Sequence, residues 1–403
     1  MEIRPILSAM WRNRTGSVLV AVQIALTLAI VVNCMFMAKS RIEFIARPSG
    51  MDIENIITAQ SLGFGSDYRH DETIDADLRA LRALPGVIAV TPASGIPMSG
   101  SGSATGYKTS MDEDAPRETA NYYRFDEHAE QALGVKIIEG RGFTELEVRR
   151  ADDENYDRMP PQVIITKAYA ERLFGDEPAL GQLIYDGLNE SAEVVGIIEH
   201  QYGAWVHWSS FDNVMWFPQR QEGPSIRYII RAEPGQRDAL IPVVEQTMQE
   251  LNSSSRLVRN VRTMEETVAT SYEGDFAIAS TLIVAIILLF VITGLGIVGL
   301  ASFTVRQRTK QIGTRRAIGA RKRDIIRYFL TENWLMTTIG IVIGTVLTIS
   351  LNYALATAFE IERLNYVYLV IGMGMLWLLG FVAVAEPARR ASNVSPAVAT
   401  RTV

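Results

Sequence analysis

The chain has 403 residues, of which 39 are Lys or Arg and 45 are Asp or Glu, so its formal net charge is −6. Only 21% of the residues are charged, which excludes a disordered polyelectrolyte and a strongly basic nucleic-acid-binding protein. The single cysteine, Cys34, excludes an intramolecular disulfide framework and a cysteine-based metal cluster. A hydrophobic content of 48% fits either a soluble protein or a chain that joins membrane spans to a polar domain. The distribution of the apolar residues decides between the two.

Four strongly apolar segments of the chain contain no charged residue. They lie between Arg14 and Lys39, between Asp275 and Arg306, between Glu332 and Glu360, and between Arg363 and Glu386. Each exceeds the roughly 20 residues that a helix needs to cross about 30 Å of hydrocarbon. The first is too long for the apolar region of a cleaved signal peptide. We therefore predict four transmembrane helices, at residues 17–38, 277–303, 334–358 and 364–385.

The Lys and Arg residues beside the spans predict the orientation. The loop after the second span carries a run of cations before its first acidic residue, Asp324. These cations are Arg306, Arg308, Lys310, Arg315, Arg316, Arg321, Lys322 and Arg323. Cytoplasmic loops carry such an excess, so we expect this loop (304–333) and both termini (1–16 and 386–403) in the cytoplasm. Residues 39–276 are then expected on the opposite side of the membrane.

The segment between the first two spans repeats a pattern of strand, amphipathic helix and strand, at residues 50–94 and 226–263. Two such βαβ units commonly pack as one open sheet with both helices on one face. Residues 95–225 form an inserted lobe, in which the glycine-rich run Gly95–Gly106 is expected to be a mobile loop. Residues 264–276 are short of turn formers and are expected to continue the second span outward as a stalk. The predicted fold class is a membrane protein with four transmembrane α-helices and a large α+β extracytoplasmic domain.

The sequence predicts no catalytic, cofactor or metal site. The run Gly106-Tyr107-Lys108-Thr109 lacks the direct Gly-Lys-Ser/Thr succession of a phosphate loop, and the four histidines show no ligand spacing. An aromatic concentration in the inserted lobe includes Trp205, Trp208 and Trp216. Such rings either dock a partner or substrate or fill the core of the lobe, and both alternatives remain open.

Small residues in the spans predict close helix packing. Gly340 and Gly344 form a small-xxx-small pair in the third span, and Gly294 lies in the second. Small side chains let helices approach closely in lipid, where packing replaces the hydrophobic driving force. The pattern fits a contact within one chain and a contact between two copies equally well.

The most informative segment is the cytoplasmic run Val305–Asp324, VRQRTKQIGTRRAIGARKRD. Topology-setting cations explain its charge but not its apolar residues. These are Ile312, Ala317 and Ile318, interleaved with Gly313 and Gly319. The pattern predicts a short helix with an apolar side between two glycine-containing bends. A short helix presented to the cytosol is suited to contact with a partner protein.

Several stretches of the chain resemble MacB/FtsX-type ABC transporter permeases. The permease region is similar at VRQRTKQIGTRRAIGARKRDIIRYFLTENW, at the Gly340-xxx-Gly344 span and at the terminal PARRASNVSPAVATR. The periplasmic core of that family is similar at GVKIIEGRGF, VIITKAYAERLFGDEPALGQLI and AEVVGIIE. One departure is Gln311, where many members carry an acidic residue.

The resemblance implies a dimeric permease of the bacterial inner membrane, made with an identical copy or a paralogue. Because the chain shows no phosphate loop, ATP and Mg²⁺ are expected in a separate ABC ATPase, whose motion the permease transmits mechanically to its periplasmic domain. The residues implied to couple to the ATPase are Arg306, Arg308, Lys310, Ile312, Gly313, Arg315, Arg316, Ala317, Gly319, Ala320, Arg323 and Asp324.

Three functions fit the resemblance. The leading hypothesis is export or efflux, with a periplasmic adaptor and an outer-membrane channel as further partners. Lipoprotein extraction from the membrane is a second alternative. A third is a signalling scaffold similar to FtsX, which activates a cell-wall hydrolase. None of them involves nucleic acid.

Overall fold

The computed structural model describes residues 14–65, 68–150, 153–221, 223–251, 255–359 and 363–395. The chain forms two compact units. The helical unit comprises the chain up to Ala46 and from Gly274 onward, and the α/β domain comprises Arg47–Glu273. The predicted architecture, four candidate membrane helices with a mixed α/β domain between the first and the second, is confirmed.

The described helices are α1 (Arg14–Ile45), α2 (His70–Arg82), α3 (Ala129–Leu133), α4 (Lys167–Phe174), α5 (Arg237–Leu251), α6 (Met264–Ser271), α7 (Glu273–Gln307), α8 (Thr309–Ala317), α9 (Lys322–Phe359) and α10 (Tyr366–Ser392). Short 3₁₀ turns lie at Ile53–Asn55 and Glu145–Glu147. The strands are β1 (Ile56–Gly63), β2 (Val87–Ala93), β3 (Ser103–Tyr107), β4 (Glu118–Phe125), β5 (Ile137–Gly140), β6 (Gln162–Thr166), β7 (Leu183–Tyr185), β8 (Ser191–Ile198), β9 (Val214–Pro218), β10 (Ser225–Ala232) and β11 (Arg256–Thr263).

Four helices of the helical unit, α1, α7, α9 and α10, are long and apolar enough to cross a membrane. The first three run past both ends of the predicted spans, because a helix continues through polar residues once it leaves the hydrocarbon. Helix α10 begins two residues later than predicted. There the side chain of Asn365 accepts a hydrogen bond from the Val367 N–H (3.0 Å), which caps the helix.

Polar side chains join these helices across an apolar interior. The hydroxyl oxygens of Thr27 in α1 and Thr293 in α7 are 2.7 Å apart. The Asn333 side-chain amide in α9 donates to the Gly380 carbonyl in α10 (3.0 Å). In lipid, such interhelical hydrogen bonds hold helices that burial of apolar surface does not drive together.

The first sheet of the α/β domain has the strand order β11-β1-β10-β2, and each neighbouring pair is antiparallel. Both predicted βαβ units are therefore split, because β10 separates β1 from β2 and β1 separates β10 from β11. Helices α2 and α5 pack on the same face, where Leu81 and Val244 share a core with Tyr228. The expected single sheet with both helices on one face is confirmed. The two units interleave within it.

A buried ion pair fastens α2 to this sheet. The Arg256 guanidinium donates to both carboxylate oxygens of Asp77 (2.8 and 2.6 Å), and the Tyr228 hydroxyl donates to the same carboxylate (2.7 Å). Both charged side chains are completely buried. Burial raises the pKa of Asp77, while Arg256 and Tyr228 act in the opposite direction. Such a pair stays ionised only while its members remain together.

The inserted lobe forms a second, seven-stranded mixed sheet with the order β3-β4-β9-β6-β8-β5, and β7 pairs with β8. Neighbours β4 and β9 are parallel, as are β6 and β8. Phe125 and Trp216 from this lobe pack in one core with Ile56 and Ile229 of the first sheet. The two sheets therefore share a hydrophobic core and form one domain.

Two expectations for the α/β domain are wrong. The run Gly95–Gly106 is not a loop throughout, because β3 begins at Ser103 and the Gly100 N–H donates to the Ala204 carbonyl (2.9 Å). Residues 264–276 do not continue α7 as one stalk. Helix α6 has its own start, where Thr263 accepts a hydrogen bond from the Glu266 N–H (3.1 Å), and it ends before Tyr272.

Candidate functional site: the turn between the second and third membrane helices

The turn after α7 is built around the short helix α8. At its carboxyl end the Ala320 N–H donates to the Arg315 carbonyl (3.0 Å) and the Gly319 N–H donates to the Arg316 carbonyl (3.2 Å). This pair of bonds is a Schellman motif, and its left-handed residue is Gly319 (φ +104°). Glycine takes that conformation without steric cost. Gly319 thus makes one of the two predicted bends.

The other predicted bend is wrong. Gly313 lies inside α8 and is buried, and the chain turns instead at Arg308, which is not helical. A glycine can lie within a helix where its missing side chain lets a neighbour approach. The short helix itself agrees with the sequence pattern.

Arg308 anchors the first corner of the turn. Its Nη1 donates to both carboxylate oxygens of Glu332 in α9 (3.1 and 3.0 Å) and to the Tyr328 hydroxyl (3.3 Å). Glu332 is only 3% exposed. An adjoining cavity of about 30 Å³, also lined by Thr304 and Asn333, has room for a water molecule. A charge-assisted pair of this kind ties the α7–α8 corner to α9.

The inward face of α8 is apolar. Ile312 is 4% exposed and belongs to the core that Ile325, Phe329 and Ala388 form in α9 and α10. The half-buried Arg316 closes the turn, since its Nη1 donates to the Ala320 carbonyl (3.1 Å). Helix α8 is therefore in direct contact with α9 and α10 through this core.

The outward side of the turn, from the end of α7 to the start of α9, carries most of the remaining implied coupling residues. Those exposed to solvent are Arg306, Lys310, Arg315, Ala317, Gly319, Arg323 and Asp324. The Arg315 guanidinium lies 5.0 Å from the centre of the Tyr328 ring. Among the described residues, no acid lies within ion-pair distance of Lys310 or Arg323. The side chain of Asp324 accepts the Arg321 N–H (3.0 Å) and caps α9.

Ile318 stands at the tip of the turn and is 82% exposed. A large aliphatic side chain surrounded by cations is an unusual surface feature, and apolar side chains of this kind act as anchors in protein interfaces. An apolar tip among cations is suited to contact with a partner.

The predicted packing glycines lie at helix contacts within the chain. A Cβ atom at Gly340 would lie 2.8 Å from Ile24, and one at Gly344 would lie 2.9 Å from the Ala25 carbonyl oxygen. These distances are too short for a side chain, so α1 and α9 meet here backbone to backbone. Gly294 faces Leu379 more loosely, at 3.4 Å.

The three tryptophans of the aromatic concentration separate into two groups. Trp216 is 1% exposed and its Nε1–H donates to the Gln201 side-chain oxygen (2.8 Å), so the docking interpretation is wrong for this residue. It fills the core of the lobe. Trp205 and Trp208 stack on one another at 4.3 Å, and Trp208 is 43% exposed.

One group of described side chains could approach a metal ion. Ligand atoms of Asp126, Glu127 and His128 lie within 4.8 Å of one another. Asp126 is already committed, because it accepts hydrogen bonds from Arg82 (2.6 Å) and Thr91 (2.8 Å). A carboxylate held in this way by an arginine does not fit a metal site.

Sequence reasoning missed Glu332 and left Ile318 out of the coupling residues. In the sequence, Glu332 was used only as the boundary at which the third charge-free segment begins. A carboxylate at the start of a membrane helix, 24 positions after an arginine, carries a signal of its own, because such charges are buried only with a partner. No sequence pattern specified which arginine that partner was.

Fold and turn together define a multi-pass membrane protein with an α/β domain inserted after its first span. The model of the MacB-like periplasmic core domain matches residues 18–247, and that of the FtsX-like permease C-terminal region matches residues 283–396. The chain therefore belongs to the MacB/FtsX-type ABC transporter permease family.

Among its relatives, the macrolide export ATP-binding/permease protein MacB of Vibrio parahaemolyticus is 25% identical over 97% of this chain and 58% of its own length. The pyoverdine export ATP-binding/permease protein PvdT of Pseudomonas syringae is 28% identical over 68% of this chain and 42% of its own. The chain thus spans about half the length of these relatives. The periplasmic region of MacB from Actinobacillus actinomycetemcomitans is a structural neighbour, with a TM-score of 0.36 and 15% identity over 56% of this chain and 97% of that one.

Proposed function

We propose that this chain is the membrane subunit of an ABC-type export system and that the turn at residues 306–324 docks the ATPase. The observation that carries the proposal is the division of the turn into two faces. One face is fixed to α9 and α10, and the other presents Ile318, 82% exposed, among cations. A docking element needs both faces, because a partner must bind the exposed face and the buried face must connect it to the membrane helices.

Transmission follows from the anchored face. Displacement of α8 moves Arg308, and with it the Glu332 carboxylate in α9. Ile312 carries the same displacement into α9 and α10 through the core. Because α1 packs along α9 through Gly340, three helices respond together. The α/β domain is joined to α1 and α7, which are the helices that bring this motion to it.

The proposed orientation of the chain in the membrane rests on the distribution of its positive charges. The cationic turn lies in the cytoplasm by the positive-inside rule, so the α/β domain is exported across the inner membrane. ATP and Mg²⁺ are bound by the ATPase. A second permease copy or a paralogue completes the assembly, and the export names of the relatives favour export over activation of a cell-wall hydrolase.

A double substitution on the exposed side of the turn tests the docking role. The double variant Arg315→Glu, Ile318→Asp removes a cation and the apolar tip while leaving Arg308 and Ile312 in place. Stimulation of ATP hydrolysis by the permease in reconstituted membranes should fall about tenfold or more, because an interface anchor is worth at least about 1.4 kcal/mol. Arg316 is left unchanged, since reversing its charge would break the bond to Ala320 that closes the turn.

Two variants serve as controls. Arg315→Lys keeps the charge and should retain most of the stimulation. Arg259→Glu reverses an exposed arginine in the α/β domain and should change nothing. Normal stimulation by the double variant in correctly inserted protein would rule out this docking face.

A further inference from the structure

A groove of about 260 Å³ opens on one face of the second sheet of the α/β domain. Aromatic rings from neighbouring strands line its floor. Phe217 of β9 stacks on Tyr122 of β4, with ring centres 5.2 Å apart and planes at 20°. Tyr107 of β3 meets the same phenylalanine edge to face at 6.4 Å. Because Tyr107 and Phe217 are buried and Tyr122 is half-buried, this floor is a fixed apolar surface.

The segment before β6 forms one wall of the groove and is fastened to the rest of the lobe. The Tyr156 hydroxyl donates to the Arg220 carbonyl (2.7 Å), and the Gln219 side-chain amide donates to the Tyr156 carbonyl (2.6 Å). Arg158 donates from Nε to the Glu190 carboxylate (2.6 Å), so this cation of the wall is already paired. The groove is therefore preformed, as small-molecule sites usually are.

Arg124 is a half-buried cation in the groove that is held by neutral groups. Its Nε donates to the Gln219 side-chain oxygen (3.0 Å) and its Nη1 donates to that of Gln221 (3.3 Å). In the part of the chain that the structure describes, no carboxylate lies within ion-pair distance of this guanidinium. Its Nη2 remains available for a ligand carboxylate, which is the group that a guanidinium binds best.

Two acidic residues line the same groove. Asp186 accepts the N–H groups of Leu188 and Glu190 through Oδ1 (both 2.8 Å), which fixes its position, and its Oδ2 bonds to no other described residue. Asp157 lies on the wall and is exposed. The groove therefore offers negative charge that is not consumed by its own arginines.

The two signs of charge meet at the aromatic floor. Burial raises the pKa of Tyr107, and Tyr122 and Asp186 raise it further, whereas Arg124 lowers it. Charges act on each other in this way only when they are close, so a carboxylate and a guanidinium flank the same ring. A ligand that satisfies all three features carries an aromatic ring, a carboxylate and an ammonium group.

We propose that this groove binds a free amino acid with an aromatic side chain. The ring packs on Tyr122 and Phe217, the carboxylate accepts hydrogen bonds from Arg124, and the ammonium group is held by Asp186 and Asp157. The volume suits one small molecule, because ligand pockets begin at about 300 Å³. The groove lies wholly within the α/β domain, so this proposal does not depend on which protein docks at the cytoplasmic turn.

Saturation-transfer NMR on the full chain in nanodiscs tests the ligand class. L-phenylalanine should bind with a dissociation constant in the millimolar range or tighter, as expected for a ligand of its size. Phenethylamine lacks the carboxylate, 3-phenylpropionate lacks the ammonium group and L-alanine lacks the ring. Each should bind about tenfold more weakly once the signal of empty nanodiscs is subtracted. Absence of L-phenylalanine binding, or equal binding of any one analogue, would refute the ligand class.

Two variants locate the site. Arg124→Gln should weaken binding of L-phenylalanine about tenfold and leave that of phenethylamine unchanged, because only the contact to the carboxylate is lost. Asp186→Asn keeps an oxygen for the two backbone N–H groups, and it should weaken binding of L-phenylalanine but not of 3-phenylpropionate. Arg141→Gln removes an exposed pair with Glu147 in the same domain and should change nothing. If both variants bind L-phenylalanine as the unmodified chain does, this groove is not the site.

Discussion

Two buried arginine–carboxylate pairs stabilise this protein, one inside the α/β domain and one at the turn between the second and third membrane helices. Arg256 and Asp77 join β11 to α2 inside the sheet of the α/β domain, and a tyrosine hydroxyl completes the group. Arg308 and Glu332 join the α7–α8 corner to α9 at the membrane surface, again beside a tyrosine hydroxyl. The chemistry is the same in both. The elements that they connect differ. The first pair connects a strand to a helix that packs on its sheet, whereas the second connects the two sides of a turn between helices.

The difference lies in what else holds the elements together. Around Arg256 the two strands next to β1 and the core of α2 and α5 fix the geometry independently. At Arg308 the chain leaves one helix and enters another, so the ion pair and Ile312 are the contacts that keep the turn in position. We therefore expect loss of the Arg256–Asp77 pair to destabilise the α/β domain, and loss of the Arg308–Glu332 pair to release the turn from α9.

The largest effect is expected for Asp77→Ala. This change leaves the Arg256 guanidinium buried without its counter-charge, which costs about 3–5 kcal/mol. Hydrogen exchange of the full chain in nanodiscs should show α2 and β11 amides opening more readily by that amount. ATPase docking should be unaffected wherever the domain remains folded. Asp238→Ala, which removes an exposed partner of Arg237, should shift exchange by less than about 1 kcal/mol.

The second-largest effect is expected for Glu332→Gln. The neutral amide loses the charge-assisted bonds to Arg308, a local cost of about 2–3 kcal/mol. Protection of the α8 amides should fall, and stimulation of the ATPase should be lost although the exposed face of α8 is unchanged. Glu386→Gln removes a carboxylate from an exposed pair with Arg390 and should preserve stimulation. Loss of global stability without loss of stimulation would place Glu332 with Asp77 as a structural pair.

The smallest effect concerns an ion pair at the surface of the inserted lobe. Arg141 donates to both carboxylate oxygens of Glu147 (2.9 and 2.6 Å), and Thr144 adds two more bonds. Together they lower the pKa of Glu147 from 4.5 to about 2. Because the folded-state value is the lower one, the stabilisation is complete above pH 4.5 and is lost as the pH falls through about 2.

Glu147→Gln should therefore weaken hydrogen-exchange protection of residues 141–148 at pH 7 by less than about 1 kcal/mol, since the Arg141 side chain is solvent-exposed and water screens the pair. The difference from the unmodified chain should shrink steadily below pH 4.5. Glu145→Gln changes the charge of the same turn without removing the Arg141 bonds and should show no such trend. A difference that stays constant down to pH 2 would contradict the shifted pKa.

Sequence patterns predicted those parts of the fold that depend on local composition. The charge-free segments identified the membrane helices, and the repeated pattern of strand, amphipathic helix and strand identified the elements of the first sheet. The interleaving of β1 and β10 could not be predicted, because strand order depends on which edges meet in three dimensions and both orders bury the same residues.

The candidate site was predicted as a segment but not as two faces. Charge identified the run, and the interleaved Ile312 and Ile318 indicated a helix with an apolar side. Which isoleucine is buried depends on packing against α9 and α10, so equivalent residues took opposite roles, 4% and 82% exposed. The stalk prediction failed because the helix breaks at Tyr272, whereas the glycine of this segment, Gly274, lies inside α7 and does not mark the break.

Site-specific cross-linking tests the docking of an ATPase at the turn most directly. In a Cys34→Ala background, Ile318→Cys carries a thiol at the exposed tip, Ile312→Cys carries one in the core, and Arg259→Cys carries one in the α/β domain. With the assembled complex in membranes, a short thiol cross-linker should join the ATPase to the Ile318 position alone. Cross-linking of the ATPase at Arg259, or an intact complex with no product at Ile318, would contradict it.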